Sequence, residues 1–194
     1  DIHPMQWEPG QWTLYKNTDK KGRVSVERVS IVAKEACGYQ IETIEWTEQG
    51  KSGSQLCYAE MPVAWTVDEA VKEGMDLVRS MTTWSDDSDP LTIDFTTPEG
   101  MMMRGMMRAL GPGLLSPLQL ELEPTTETAT VAAGSFAGSI RVDGKMQIGP
   151  LKIKVESRVH PGVPVLGNIW VESSDGTRSE LVDFGLTGAV SERP

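Results

Sequence analysis

The chain has 194 residues, 39% of them hydrophobic and 24% charged, a mixture that folds into a globular domain and is long enough for one sizeable core. Its net charge of -10 and pI near 4.7 repel phosphate backbones and anionic membrane surfaces, which disfavours nucleic-acid binding and a polybasic membrane anchor. No apolar run approaches the roughly 18 residues needed to cross a bilayer, and the opening Asp1-Ile2-His3-Pro4-Met5 reads as a processed or trimmed product with no signal peptide in view.

Residues 1–10 read as an arm ending at the Pro9-Gly10 turn, and 11–194 as a single β-rich domain with a helical insert at about 66–110. The first strand starts at Gln11-Trp12-Thr13-Leu14-Tyr15, and a turn at Asp19-Lys20-Lys21-Gly22 leads into the period-two pattern Arg23-Val24-Ser25-Val26-Glu27. The pattern resumes one residue out of phase at Val29 and Ile31, so a β-bulge is expected near Glu27 and Arg28. Stretches 38–46 and 54–60 form a hairpin turning near Gln49-Gly50-Lys51-Ser52-Gly53. Cys37 and Cys57 bracket it. They read either as a disulfide between neighbouring strands, which implies an oxidising compartment, or as two buried thiols.

Thr66-Val67-Asp68-Glu69 is a capping box, and Val67, Val71, Met75, Val78 and Met81 follow at helical spacing, which predicts a helix over 66–82. Ser85 to Pro90 is a polar turn whose carboxylates lack the glycine and glutamate of a calcium loop. Leu91 to Phe95 alternates as a strand, and Thr97-Pro98-Glu99 opens a second helix that Gly111-Pro112-Gly113 stops. On it Met102, Met103, Met106, Met107 and Leu110 share a stripe, with Arg104 and Arg108 away from most of it. From residue 117 the chain alternates again, as in 117–122 and 151–156, with hairpin turns at Gly144 and Ser174-Asp175-Gly176 and last strands at 166–173 and 178–187. The total is about ten strands and two helices, without βαβ alternation.

Enzyme signatures are missing. The two histidines, His3 and His160, have no metal-like neighbours, and His160 in His160-Pro161-Gly162-Val163-Pro164 reads as structural. There is no Gly-x-Ser-x-Gly elbow, and Glu45 stands where a phosphate loop ending in Gly50-Lys51-Ser52 needs glycine. No general acid and base can be nominated, so a non-enzymatic protein without a cofactor is expected. The methionine stripe leaves three readings: core packing, the lining of a hydrophobic pocket, or a thioether site for Cu(I).

The C-terminal half carries a resemblance. Ala133-Gly134-Ser135-Phe136 begins a strand; Val159 to Pro164 forms an apolar-His-Pro-x-Val-Pro loop; Ile169 to Ser173 and then Leu181-Val182-Asp183-Phe184-Gly185 follow. This order, over about 130–190, resembles bacterial extracytoplasmic proteins of unknown function, often lipoproteins, similar in architecture to the lipoprotein carriers LolA and LolB. The resemblance implies a strongly curved antiparallel sheet or half-barrel, mainly β in an α+β sense, with two helices packed on the concave side, and a periplasmic or cell-envelope location. No lipidation cysteine stands at this N-terminus. The expected function is binding of a lipid or other hydrophobic ligand at Met102, Met103, Met106, Met107, Leu110, Leu114 and Leu115. The alternative is an interaction module of an envelope assembly, which exposed Trp12, Trp46 or Trp170 would favour.

Overall fold

In a computed structural model, residues 5–60, 77–105, 119–124, 127–148 and 151–193 are described. Thirteen strands occupy these residues: β1 Trp12–Thr18, β2 Val24–Glu35, β3 Gly38–Thr47, β4 Gly50–Tyr58, β5 Val78–Ser85, β6 Ser88–Asp94, β7 Gln119–Pro124, β8 Thr128–Val131, β9 Gly134–Ala137, β10 Ile140–Ile148, β11 Leu151–Val159, β12 Asn168–Ser173 and β13 Arg178–Gly185. Eleven of them form one antiparallel sheet in the order β6-β5-β4-β3-β2-β1-β13-β12-β11-β10-β7, and β8 (Thr128–Val131) pairs with β9 (Gly134–Ala137) in a separate hairpin. The end strands β6 (Ser88–Asp94) and β7 (Gln119–Pro124) do not pair with each other, so the sheet is open.

That architecture corrects the expected half-barrel of about ten strands with two helices on its concave side. Helical backbone stops at Leu77, and Val78–Ser85 is β5, paired with β4 (Gly50–Tyr58) and β6. Val78, Thr82 and Trp84 are buried, and the Thr82-Thr83-Trp84 run favours a pleated surface over a helix. The remainder of the expected 66–82 helix lies outside the described residues. Beyond Leu77 the described residues hold one helix, α1, at 98–105. It opens as expected: the Thr97 hydroxyl accepts from Gly100 N–H at 3.1 Å, and Pro98 takes the first helical position. Its facing is the reverse of the expected one. Arg104 lies over the Phe95 ring at 5.2 Å and donates to the Val78 carbonyl, while Met101, Met102 and Met103 face solvent.

The expected slip near Glu27 and Arg28 is also corrected. β2 (Val24–Glu35) pairs with β3 (Gly38–Thr47) without interruption from Val26 to Ile31, and the register shifts only between Ile31 and Ala33. The change of phase at Val29 has another cause, since this part of the sheet is covered on both faces. One face carries Tyr15, Val29, Ile31, Tyr39, Ile41, Ile169 and Leu181 into a core closed by Trp7, Phe136, Val163 and Val165. Trp7 packs edge-on against Tyr39 and Tyr58 and donates to the Val165 carbonyl at 2.9 Å. The opposite face buries Ile44, Glu42, Gln55 and Trp84 and is crossed by residues 186–193. Gly144, expected in a turn, lies inside β10 (Ile140–Ile148) opposite Val155 of β11 (Leu151–Val159).

Cys37, in the β2–β3 turn, is disulfide-bonded to Cys57 of β4, with Cα atoms 6.3 Å apart. Gly38 follows it at φ +124°, where a Cβ would lie 1.8 Å from the Tyr58 carbonyl oxygen, so no other residue lets this turn close on β4. The bond spans 20 residues of chain. Replacing both cysteines by serine is expected to cost about 3 kcal/mol, read as a lower urea midpoint, with a steeper m-value as the unfolded chain expands.

Candidate functional site

The core face does not stay apolar along the whole length of the central strands. Cross-strand rows follow from the register. Ile41 faces Ile31 and Thr43 faces Val29; one row further, Glu45 faces Glu27, and Glu27 faces Tyr15. Beyond Tyr15, β1 (Trp12–Thr18) carries Asn17, which faces Ser25 on one side and Ser179 of β13 (Arg178–Gly185) on the other. Ser179 in turn faces Val171 of β12 (Asn168–Ser173). Alternation places all of these on one face. The core thus grades into hydroxyls, amides and carboxyls toward the β1–β2 turn.

A cleft of about 520 Å³ opens over this polar end. Asn17, Ser25, Thr47, Gln49, Ser173 and Ser179 supply neutral hydrogen-bonding groups to it, and Glu45 and Glu48 supply carboxylates. Two cations also line it, but each has its own acid. Arg23 holds Asp19 at 2.6 Å, and Arg178 holds Glu180 at 3.1 Å. Asp19 is committed further, since its carboxylate accepts from the N–H groups of Lys21 and Arg23 at 2.8 and 2.9 Å, and these bonds hold its carboxyl below the usual range. Asn17 differs: its Oδ1 is buried and no donor reaches it.

The inner rim is electrostatically tense. Burial, and then the neighbouring Glu45, push the Glu27 carboxyl above its ordinary range. Burial, with a further contribution from Glu27, pushes Tyr15 up to about 12, and its hydroxyl donates to the Asn168 carbonyl at 3.2 Å. Both groups therefore hold their protons more tightly than usual at the boundary between core and cleft.

The residues that sequence reasoning singled out lie elsewhere. Met102 and Met103 are 69% and 43% exposed on α1. Met106, Met107, Leu110, Leu114 and Leu115 fall outside the described residues. His160 is built into its loop: its Nδ1 accepts from Gly162 N–H at 3.0 Å, its N–H donates to Gly167, and its ring packs on Phe136. Trp12, Trp46 and Trp170 are half-buried, Trp46 beneath the Arg28 guanidinium. No cluster of three or more His, Cys, Asp or Glu side chains suited to a metal occurs among the described residues. Nor is any helix among them long and apolar enough to cross a membrane. The cleft escaped notice in the sequence because serines, threonines and a single asparagine on separate strands form no motif. The one available signal was Glu27, a carboxylate on the parity that Val29 and Ile31 mark as core.

No family model matches the chain, and no curated protein matches it. Among solved structures, a candidate exported protein with a YmcC-like fold from Bacteroides fragilis is 10% identical over 95% of this chain and 100% of its own, with a TM-score of 0.42. PNGF-II is also 10% identical over 95% of this chain but over only 30% of its own length, with a TM-score of 0.36. Likenesses of that depth carry no functional inference.

Glu27 supplies a prediction of definite sign. A carboxyl raised in the folded state opposes folding once it ionises, so stability falls as pH rises from the ordinary glutamate pKa of 4.5 through the raised value. Glu27→Gln removes that penalty. Urea unfolding between about pH 4 and about pH 8 is expected to show the variant level with wild type at the acid end and more stable at the neutral end.

Proposed function

We propose that the chain is a non-enzymatic binding protein of an oxidising, extracytoplasmic compartment, and that its cleft takes a small ligand rich in hydroxyl or amine donors. The observation that carries this reading is the polar lining of the cleft, a row of hydroxyls and amides with Asn17 among them, whose cations are already paired. The acceptors around it, Glu45, Glu48 and a row of hydroxyls, match a sugar or amino sugar better than a lipid tail, since an apolar chain leaves buried polar groups unsatisfied. The compartment rests on the disulfide. Support for a non-enzymatic role is that His160 is spent on its loop.

A second reading keeps the hydrophobic ligand, or an apolar surface of an envelope partner, and moves it from a half-barrel pocket to the surface of α1. It is favoured by three consecutive exposed methionines, Met101, Met102 and Met103, since flexible thioether side chains adapt to apolar partners.

Saturation-transfer NMR against glucose, glucosamine and a short-chain fatty acid separates the two. The cleft reading expects transfer to one of the sugars, lost in Asn17→Val and unchanged in Met102→Ser. Transfer to the fatty acid alone, abolished by Met102→Ser, would overturn it in favour of the surface reading.

A further inference from the structure

The face opposite the core holds a second constellation. Residues 186–193 cross it in an irregular conformation, and the contacts that hold them are polar. Glu42, fully buried in the middle of β3, meets this segment with both carboxylate oxygens: Oε2 accepts the Ser191 hydroxyl at 2.6 Å and Oε1 accepts Glu192 N–H at 2.9 Å. The Glu192 carboxylate is divided between two cations, Arg28 and Lys51, each at 2.7 Å. Lys51 and Arg28 hold its carboxyl below the ordinary glutamate range. Arg193 reaches on to Gln55, donating to its Oε1 at 3.2 Å. In a chain of net charge -10 the pairing of Arg28 with Lys51 is a local reversal of sign.

Two features separate this from ordinary packing of a crossing segment. First, the apolar side chains of the crossing segment are not buried. Leu186 and Val190 are exposed, so the segment is held by recognition of its backbone and polar groups rather than by apolar burial. Second, the floor keeps unused hydrogen-bonding capacity. The Ser30 hydroxyl beside Glu42, the Arg28 Nε and the Trp84 indole N–H are buried without partners. The Trp84 ring lies against Gly53, where a Cβ would come within 2.3 Å of it, so the indole needs glycine at 53. A segment bringing one more acceptor would satisfy donors that the chain's own residues leave idle.

We propose that this face of β2, β3 and β4 is a peptide-binding site, filled here in cis by residues 189–193, and that it takes from a partner protein a segment in which a hydroxyl residue is followed by a carboxylate. Glu42 reads the hydroxyl and the next amide, Arg28 and Lys51 read the carboxylate, and Gln55 reads a following donor. The cis segment is a competitor at high effective concentration, so the site is closed to weak partners.

The test uses the full chain and a fluorescein-labelled peptide Ala-Val-Ser-Glu-Arg with its carboxyl terminus amidated, followed by fluorescence anisotropy. Glu192→Lys turns the chain's own segment against Arg28 and Lys51, and this variant is expected to bind the peptide saturably, at least about tenfold more tightly than wild type does. Adding Arg28→Ala to it is expected to abolish saturable binding, as is exchanging the peptide's glutamate for lysine. Circular dichroism and the intact disulfide report folding. Where Glu192→Lys fails to fold, the milder Glu192→Gln carries the same comparison. A folded variant that shows no saturable binding, or that binds a scrambled peptide equally well, would overturn the proposal.

Discussion

An antiparallel sheet can leave one face wet, but the central strands of this one are covered on both, and most other features follow from that constraint. Trp7, the β8–β9 hairpin and the loop around Val163 and Val165 close one face; residues 186–193 cross the other. Strands β2 and β3 therefore bury residues of both parities. Ile41 and Ile44 are both inside although they lie on opposite faces, and Glu42 between them is as buried as either. A buried carboxylate is tolerable only when its oxygens are occupied, and the hydroxyl and amide of Ser191 and Glu192 occupy them. The polar crossing segment and the buried glutamate explain each other.

The same constraint decides what was legible in the sequence. Where the sheet has one wet face or a local turn, the pattern read true: the hairpin of β3 and β4, the Cys37–Cys57 bond, the Thr97 cap and the turn at Ser174 all rest on contacts between residues close in sequence. Where the cover comes from far along the chain, the pattern misled. The two parities of β2 looked like a bulge at Glu27 because nothing near Arg28 announces that a segment some 160 residues later will sit over it. Val78 and Met81 fit helical spacing from Val67 onward, yet they are also compatible with an extended chain, and pairing with β4 and β6 outweighed the propensity. On α1, two of the three readings of the methionine stripe, core packing and a pocket lining, turn it inward, whereas Met102 and Met103 face solvent. Arg104 turns inward, its guanidinium over Phe95 and donating to the Val78 carbonyl.

The two candidate sites were illegible for a related reason. Each is assembled across strands from residues that mean little alone. Asn17, Ser25, Thr47 and Ser179 converge only once β1, β2, β3 and β13 are in register. Glu42, Arg28, Lys51 and Gln55 come from three strands. Chemistry of this kind has no spacing along the chain, only spacing across the sheet.

The two sides of the sheet also differ in how firmly they are closed. On the core side, aromatic rings and aliphatic side chains are removed from water, and opening that side exposes apolar surface at roughly 25 cal/mol per Å². On the other side, the crossing segment leaves Leu186 and Val190 in solvent and depends on ion pairs and hydrogen bonds, each of which water can replace. Glu42 sets a condition on the cover: once the segment leaves, water hydrates its carboxylate beside Arg28, 3.8 Å away, so whatever covers it must return the hydrogen bonds that water makes. A face with a carboxylate at its centre and two cations beside it therefore accepts only a cover that pairs with them. It sets the charge and hydrogen-bond pattern of whatever covers it, a hydroxyl and an amide for Glu42 and a carboxylate for Arg28 and Lys51.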